Sequence, residues 1–285
     1  MKRAALFISK MSRQLLFAIL TIVLCLGIWW GLWSIWKYSL LHSQEYRLKP
    51  GRFHLSEPPP WIPETLVHDV LATAKFGAKE SVLNKKLPER LAVAFKANPW
   101  VQKVRKIQIK YPAEVYVELD YRSPVCLVEL PGGHGFYPVD ADGIFLPADY
   151  FTQGTQEEKA EKMSPFPFVV GTPSNPIGSI GDPWGDSAVG KAAKIAALLG
   201  TNAKNWGIVS IKILTAPKEG PFAISWNVPP PEFQLVAGNG HTFHWGTFEF
   251  SSENPQMPGL KEEAKLETFR KLISVHGTLD QFPEQ

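Results

Sequence analysis

Cysteine is nearly absent: the 285 residues hold only Cys25 and Cys126. Cys126 alone lies in the soluble part, so no intrachain disulfide is available there. A surplus of either charge is missing as well. Lys and Arg total 30 against 27 Asp and Glu, a net +3. With no arginine-rich block and no RNA-binding aromatic motif, that balance argues against a dedicated nucleic-acid binder. No Gly-x-Ser-x-Gly elbow marks a nucleophile, although the members of a Ser-His-Asp triad could still be scattered along the chain. Neither a His-Glu-x-x-His motif nor a cysteine pair announces zinc. No internal repeat is present.

One stretch lacks charge altogether. Leu15 to Trp36 reads LLFAILTIVLCLGIWWGLWSIW, and a bilayer core takes ~20 such residues as a helix. Trp29, Trp30, Trp33 and Trp36 crowd its C-terminal end, where indoles favour the membrane interface. A cleaved signal peptide would have an apolar region of ~7–15 residues ending in a small-x-small site. This run is longer and ends in tryptophans, which predicts an uncleaved anchor. Ile22-Val23-Leu24 lacks the small residues that lipidation of Cys25 would need. Lys2, Arg3, Lys10 and Arg13 precede the span, and Lys37, Arg47, Lys49 and Arg52 follow it. Charge bias therefore hardly sets an orientation. The simplest topology keeps the short N-terminal tail in the cytoplasm and the remainder outside.

Beyond a polar connector, the chain predicts a strand at Phe53 to Leu55 and a helix over Glu64 to Lys75, opened by Pro63. A second helix starts at Pro88 and is ended by Asn98-Pro99. Ile107, Ile109 and Tyr111 then alternate with Lys106, Gln108 and Lys110. After Pro112, Val115, Val117, Leu119 and Tyr121 alternate with Glu114, Tyr116, Glu118 and Asp120. That period predicts a half-buried antiparallel pair. A unit ordered strand, helix, helix, strand, strand has a wet face and an exposed edge able to accept a strand from another chain.

In the second half, Val125 to Leu130, Phe136 to Val139 and Ile144 to Leu146 read as strands, the last two joined at Asp142-Gly143. Thr152 to Ser164 reads as a surface helix or loop, Phe166 to Val170 as a strand, and Thr172 to Asp186 as a loop. Ser187 to Leu199 reads as a helix. Strands are expected at Ile208 to Leu214, Phe222 to Trp226, Phe233 to Val236 and Thr242 to Trp245. A helix over Leu260 to Val275 and a short strand over Thr278 to Phe282 follow.

Three patterns invite chemistry, and each has a plainer reading. Gly185 to Lys191 has the spacing of a phosphate-binding loop. Loop residues precede it instead of a buried strand, however, and Ala192 stands where the magnesium-binding hydroxyl belongs. A glycine-rich helix start explains it. His241 and His244 sit three apart, which on a strand sends them to opposite faces. Asp140 and Asp142 could pose as an acid/base pair, but turn chemistry accounts for both.

Taken together, several stretches resemble the FtsQ and DivIB family of bacterial division proteins. They are Asn98-Pro99-Trp100-Val101, Lys103-Val104, Tyr111-Pro112 and Arg122-Ser123-Pro124-Val125. Further on come Tyr137 to Phe145, Phe166 to Gly171, and Gly238-Asn239-Gly240 to Trp245-Gly246 before a C-terminal helix. The chain departs from the family pattern at Tyr121, Cys126, Trp245 and Gln281. The resemblance implies an α+β protein: a cytoplasmic tail (1–14), a transmembrane helix (15–36), a linker (37–50), a POTRA domain of order β-α-α-β-β (51–124) and a mixed β domain with flanking helices (125–285). It makes Pro99, Trp100, Val101, Pro112, Arg122 and Pro124 the structural signature of the POTRA domain. The terminal strand, Thr278, Leu279, Asp280, Gln281 and Phe282, becomes the partner-binding edge. It implies a non-enzymatic divisome scaffold of the inner membrane at the septum, with no catalytic residue, metal, cofactor, nucleic acid or small-molecule substrate. Expected partners are membrane lipid, small coiled-coil proteins like FtsB and FtsL, and an FtsK-like protein. The alternatives are an envelope assembly or transport factor that merely shares a POTRA domain, and a membrane-tethered hydrolase with an unrecognised site.

Overall fold

The computed structural model describes residues 2–42, 44–77, 80–214, 232–246 and 262–278. The protein is a mixed α+β chain that begins with one long apolar helix and continues into two sheets. Helix α1 runs over Lys2–His42. Its segment Phe17–Lys37 is 21 residues long and unburied, long and apolar enough to cross a membrane. At 1.5 Å per residue, such a segment covers the ~30 Å hydrocarbon core. The helix continues to His42, into the stretch expected to be linker.

Contacts along the chain define two compact units. One gathers Met1–Ser56, Val67–Ala94 and Arg105–Glu118; the other gathers Glu57–Leu66, Phe95–Val104 and Leu119–Gln285. The first sheet has three strands in the order β1-β3-β2, with β1 at Phe53–Leu55, β2 at Val101–Lys110 and β3 at Glu114–Tyr121. β1 runs parallel to β3, with Phe53 opposite Val115 and Leu55 opposite Val117. Between β1 and β2 come helix α2, Leu66–Thr73, and helix α3, Leu87–Lys96. α2 starts two residues later than its proline suggests, because Pro63 accepts a turn bond from the Leu66 amide first. The apolar stripes Leu66, Val70, Leu71 and Leu87, Leu91, Phe95 are buried, as are Val115, Val117 and Leu119 on β3.

Tyr111 differs from the alternation read in the sequence. β2 ends at Lys110, and Tyr111 lies 76% exposed in the turn that follows. Its ring meets Tyr46 edge-on at 5.5 Å between centroids, and the Tyr46 hydroxyl donates to its oxygen at 2.9 Å. That bond, then burial, raises the Tyr46 hydroxyl above its ordinary pKa.

The second sheet has six strands in the order β5-β4-β6-β7-β8-β9. β4 is Pro124–Glu129, β5 Phe136–Asp140, β6 Phe168–Val170, β7 Ile208–Ile213, β8 Phe233–Ala237 and β9 Thr242–Gly246. β4, β6 and β7 pair in parallel; β5, β8 and β9 add antiparallel partners outside them. Cys126, Leu127 and Val128 are buried on successive positions, as expected of a strand covered on both faces.

Short helices α4, Asp149–Thr152, and α5, Gln156–Met163, precede β6. α5 opens with a capping box: Thr155 Oγ1 accepts from the Glu158 amide, and Glu158 accepts from the Thr155 amide. Helix α6, Ser187–Leu199, crosses from β6 towards β7 through the short α7, Asn202–Asn205, and α8 is Glu262–His276. Val189, Ala192, Ile195 and Leu199 of α6 join Val128, Val169 and Ile211 of the sheet, with Leu266 and Phe269 of α8, in one core. The strand expected at Phe222 to Trp226 lies outside the described residues.

Candidate functional site

Two places stand out: a corner of organised polar chemistry and an open strand edge. The first is the corner where β3 passes into β4. The Asn98 side chain accepts from the Trp100 amide, Trp100 is buried, and its carbonyl accepts from the Arg122 amide at 2.8 Å. Trp61 Nε1 donates to the Arg122 carbonyl at 3.1 Å. The Arg122 guanidinium reaches Asp140 at the end of β5, donating to Oδ2 at 2.6 Å. Asp140 Oδ1 accepts from the amides of Asp142 and Ile144, each at 2.9 Å. The carboxylate thus closes the turn and neutralises a largely buried arginine. Asp142 adds a weaker contact to Arg122 at 3.7 Å. Turn chemistry accounts for Asp140, as the sequence indicates; Arg122 as its partner carries no local signal, since the two are brought together only by pairing of β4 with β5. Pro124, opposite Asp140 in that pairing, is buried. Pro112 lies in the turn after Tyr111, and Pro99 and Val101 flank Trp100 at the corner.

At the same turn, Gly143 has φ +78°, and a Cβ there would come within 3.2 Å of the Gly190 backbone on α6. Gly190, a glycine of the phosphate-loop-like pattern, therefore meets a turn of its own chain. Asp186 caps α6 by accepting from the Ala188 amide, and Lys191 pairs with Glu232 at 3.3 Å. Those contacts place a carboxylate at the helix start and turn the lysine to Glu232, just before β8. Cys126 is fully buried; burial, then the Asp140 charge, raise its thiol well above the ordinary range.

The second place is the outer edge of β9. Among the described residues no strand pairs with that edge. The opposite end of the sheet is partly covered: Ile144 and Leu146 exchange backbone bonds with β5, and Phe145 bridges Val139. β9 itself is firmly held. Trp245 is buried and its Nε1 donates to Glu262 at 2.7 Å, which joins the strand to the start of α8. Phe243 packs on Phe269 at 4.9 Å between ring centroids. Thr242 and His244 are exposed, and His244 contacts the Gln234 amide. His241 is tied through its backbone to Asn239. Among the described residues, no three of His, Cys, Asp and Glu cluster so as to hold a metal ion.

Of the terminal strand expected to bind partners, Thr278 is described, at a bend two residues after α8. Leu279, Asp280, Gln281 and Phe282 lie outside the described residues. An open groove of about 640 Å³ also lies beside α5, walled by Trp61, Tyr150, Phe166 and two prolines. Nothing in the sequence pattern pointed to it, because its walls come from segments more than a hundred positions apart. No protein-family model and no curated protein matches the chain.

Proposed function

We propose that this chain is a single-pass membrane scaffold that docks other membrane proteins along a sheet edge, and that it acts in bacterial division as FtsQ and DivIB do. The observation that carries the reading is the well-anchored outer edge of β9, which holds no Lys, Arg, Asp or Glu and is unpaired among the described residues, in a chain that opens with a membrane-length helix. Such an edge offers unpaired backbone donors and acceptors, which a partner strand satisfies while alternate side chains supply selectivity. The β-α-α-β-β order of the first sheet and its helices supports a POTRA domain. In this reading the partners are small coiled-coil membrane proteins like FtsB and FtsL, with an FtsK-like protein as a further candidate. The protein has no catalytic task, the tail before Leu15 is cytoplasmic, and the sheets lie outside the inner membrane.

A fluorescent fusion tests the division role: enrichment at the septum is expected, and a uniform membrane signal would refute it. A reporter active only in the cytoplasm, fused after Gln285, should stay silent.

A further inference from the structure

The stretch that follows α1 is basic and ordered. Lys37 closes the apolar segment, and Arg47, Lys49 and Arg52 follow within fifteen positions, with Glu45 the one acidic residue among them. The backbone holds these groups in place. The Val82 amide donates to the Tyr46 carbonyl at 2.8 Å, the Leu48 amide donates to the Glu80 carbonyl at 2.9 Å, and Arg47 bridges Ser81 as an antiparallel pair. Tyr46 and Leu48 are buried on one side of this short extended segment. Arg47 and Lys49 alternate with them, as extended backbone requires. The Arg52 guanidinium donates to the Glu45 carbonyl at 3.1 Å, and the Arg52 amide donates to the Lys49 carbonyl, so Arg52 returns to the same turn. Lys37, Arg47 and Lys49 make no ion pair among the described residues.

Geometry ties this cluster to a bilayer surface. α1 extends only five residues past Lys37, about 8 Å at 1.5 Å per residue. Arg47 follows five residues later, within ~18 Å of chain. Long basic side chains reach headgroups from such positions, and each Lys or Arg near an anionic surface is worth about fivefold in binding. We propose that Lys37, Arg47, Lys49 and Arg52 form a basic collar that binds acidic phospholipid headgroups in the leaflet at the C-terminal end of α1. The inference rests on the reading of α1 as a membrane span.

The interfacial tryptophans supply the test. Trp29, Trp30, Trp33 and Trp36 lie at the collar end of the span and are exposed. The full chain is placed in nanodiscs containing phosphatidylglycerol or phosphatidylcholine, brominated near the headgroup, at equal mole fraction. At low salt, brominated phosphatidylglycerol should quench these tryptophans more strongly. The excess should vanish near 1 M salt, where the screening length is about 3 Å. It should also vanish in the triple variant Arg47→Gln, Lys49→Gln, Arg52→Gln, and survive in Arg47→Lys, Lys49→Arg, Arg52→Lys. Equal quenching by the two lipids in the unaltered chain, or loss of the excess in both variants, would overturn the collar. No quenching by either lipid would overturn the span itself, and the collar with it. If inorganic phosphate removes the excess where chloride of equal ionic strength does not, the cluster is a free-phosphate site and the lipid assignment fails.

Discussion

Replacing Asp140 by alanine should be among the most costly single changes in the larger unit. The carboxylate side chain is 5% exposed and the Arg122 side chain 16%. Asp140→Ala removes the acceptor of two turn amides and leaves the guanidinium without its 2.6 Å partner. Breaking a buried pair from one side costs about 3–5 kcal/mol. Arg122 keeps some access to water and the 3.7 Å contact to Asp142, so the lower end, about 3 kcal/mol, is appropriate. For a unit of this size that lowers the thermal midpoint by about 6–12 °C. Asp140→Asn keeps an oxygen for the two amides and loses only the charge, so it should cost clearly less. Urea unfolding of the detergent-solubilised chain, followed by tryptophan fluorescence, measures both. In the double variant with Arg122→Met, the combined loss should fall short of the sum by more than about 1 kcal/mol, because the arginine is no longer stranded. A midpoint for Asp140→Ala within about 0.5 kcal/mol of the unaltered chain, the range of ordinary surface changes, would refute the corner as a structural node.

Trp100→Ala should cost about 3–5 kcal/mol by the same unfolding assay, since the ring is 4% exposed; an unchanged midpoint would make that ring a surface contact. Lys75, two residues past the end of α2, has φ +53°, and the Phe76 amide donates to the Leu71 carbonyl behind it. Lys75→Gly should therefore raise stability, by up to about 1 kcal/mol, and a loss would contradict the left-handed cap. In a Cys25→Ser background, Cys126 should resist thiol reagents until the protein unfolds. Its pKa is raised on folding, so its contribution is whole below about pH 9.0, the ordinary thiol value, and is lost as pH rises beyond it. The alkaline fall in stability should accordingly be smaller in Cys126→Ala. Thr242→Lys with His244→Lys should leave the unfolding midpoint nearly unchanged while abolishing co-purification of small single-span partners; undiminished recovery would move the docking edge elsewhere.

Local patterns were legible where one face decides the residue type. The alternation from Glu114 to Tyr121, the α6 stripe from Ala188 to Leu199 and the Asp142-Gly143 turn each report their own burial or backbone demand, and the structure follows them. Long-range pairing was not legible. Val125 to Val128 is apolar without alternation, which suits a strand covered on both faces, but the run alone does not say that β6 is its parallel neighbour. The α5 capping box was present as Thr155 and Glu158 and is a readable signal for a helix start. The Arg122 to Asp140 pair was not, because eighteen positions separate residues that only the β4–β5 register brings together.

Among the described residues, the outer edges of β2 and β9 differ in a way that bears on docking. β2 is ten residues long and lies at the end of its sheet, yet it carries Lys103, Arg105, Lys106 and Lys110. Charged side chains, lysine above all, are a common means of keeping an edge from pairing with another chain. β9 has only five residues and no Lys, Arg, Asp or Glu. Length alone would favour β2; the cost of bringing a strand beside a row of cations favours β9. An acidic partner strand would reverse the preference, because the same cations would then attract it. Lys103→Glu with Lys106→Glu separates the cases: partner recovery should persist if β9 docks, and should collapse if β2 receives an acidic strand.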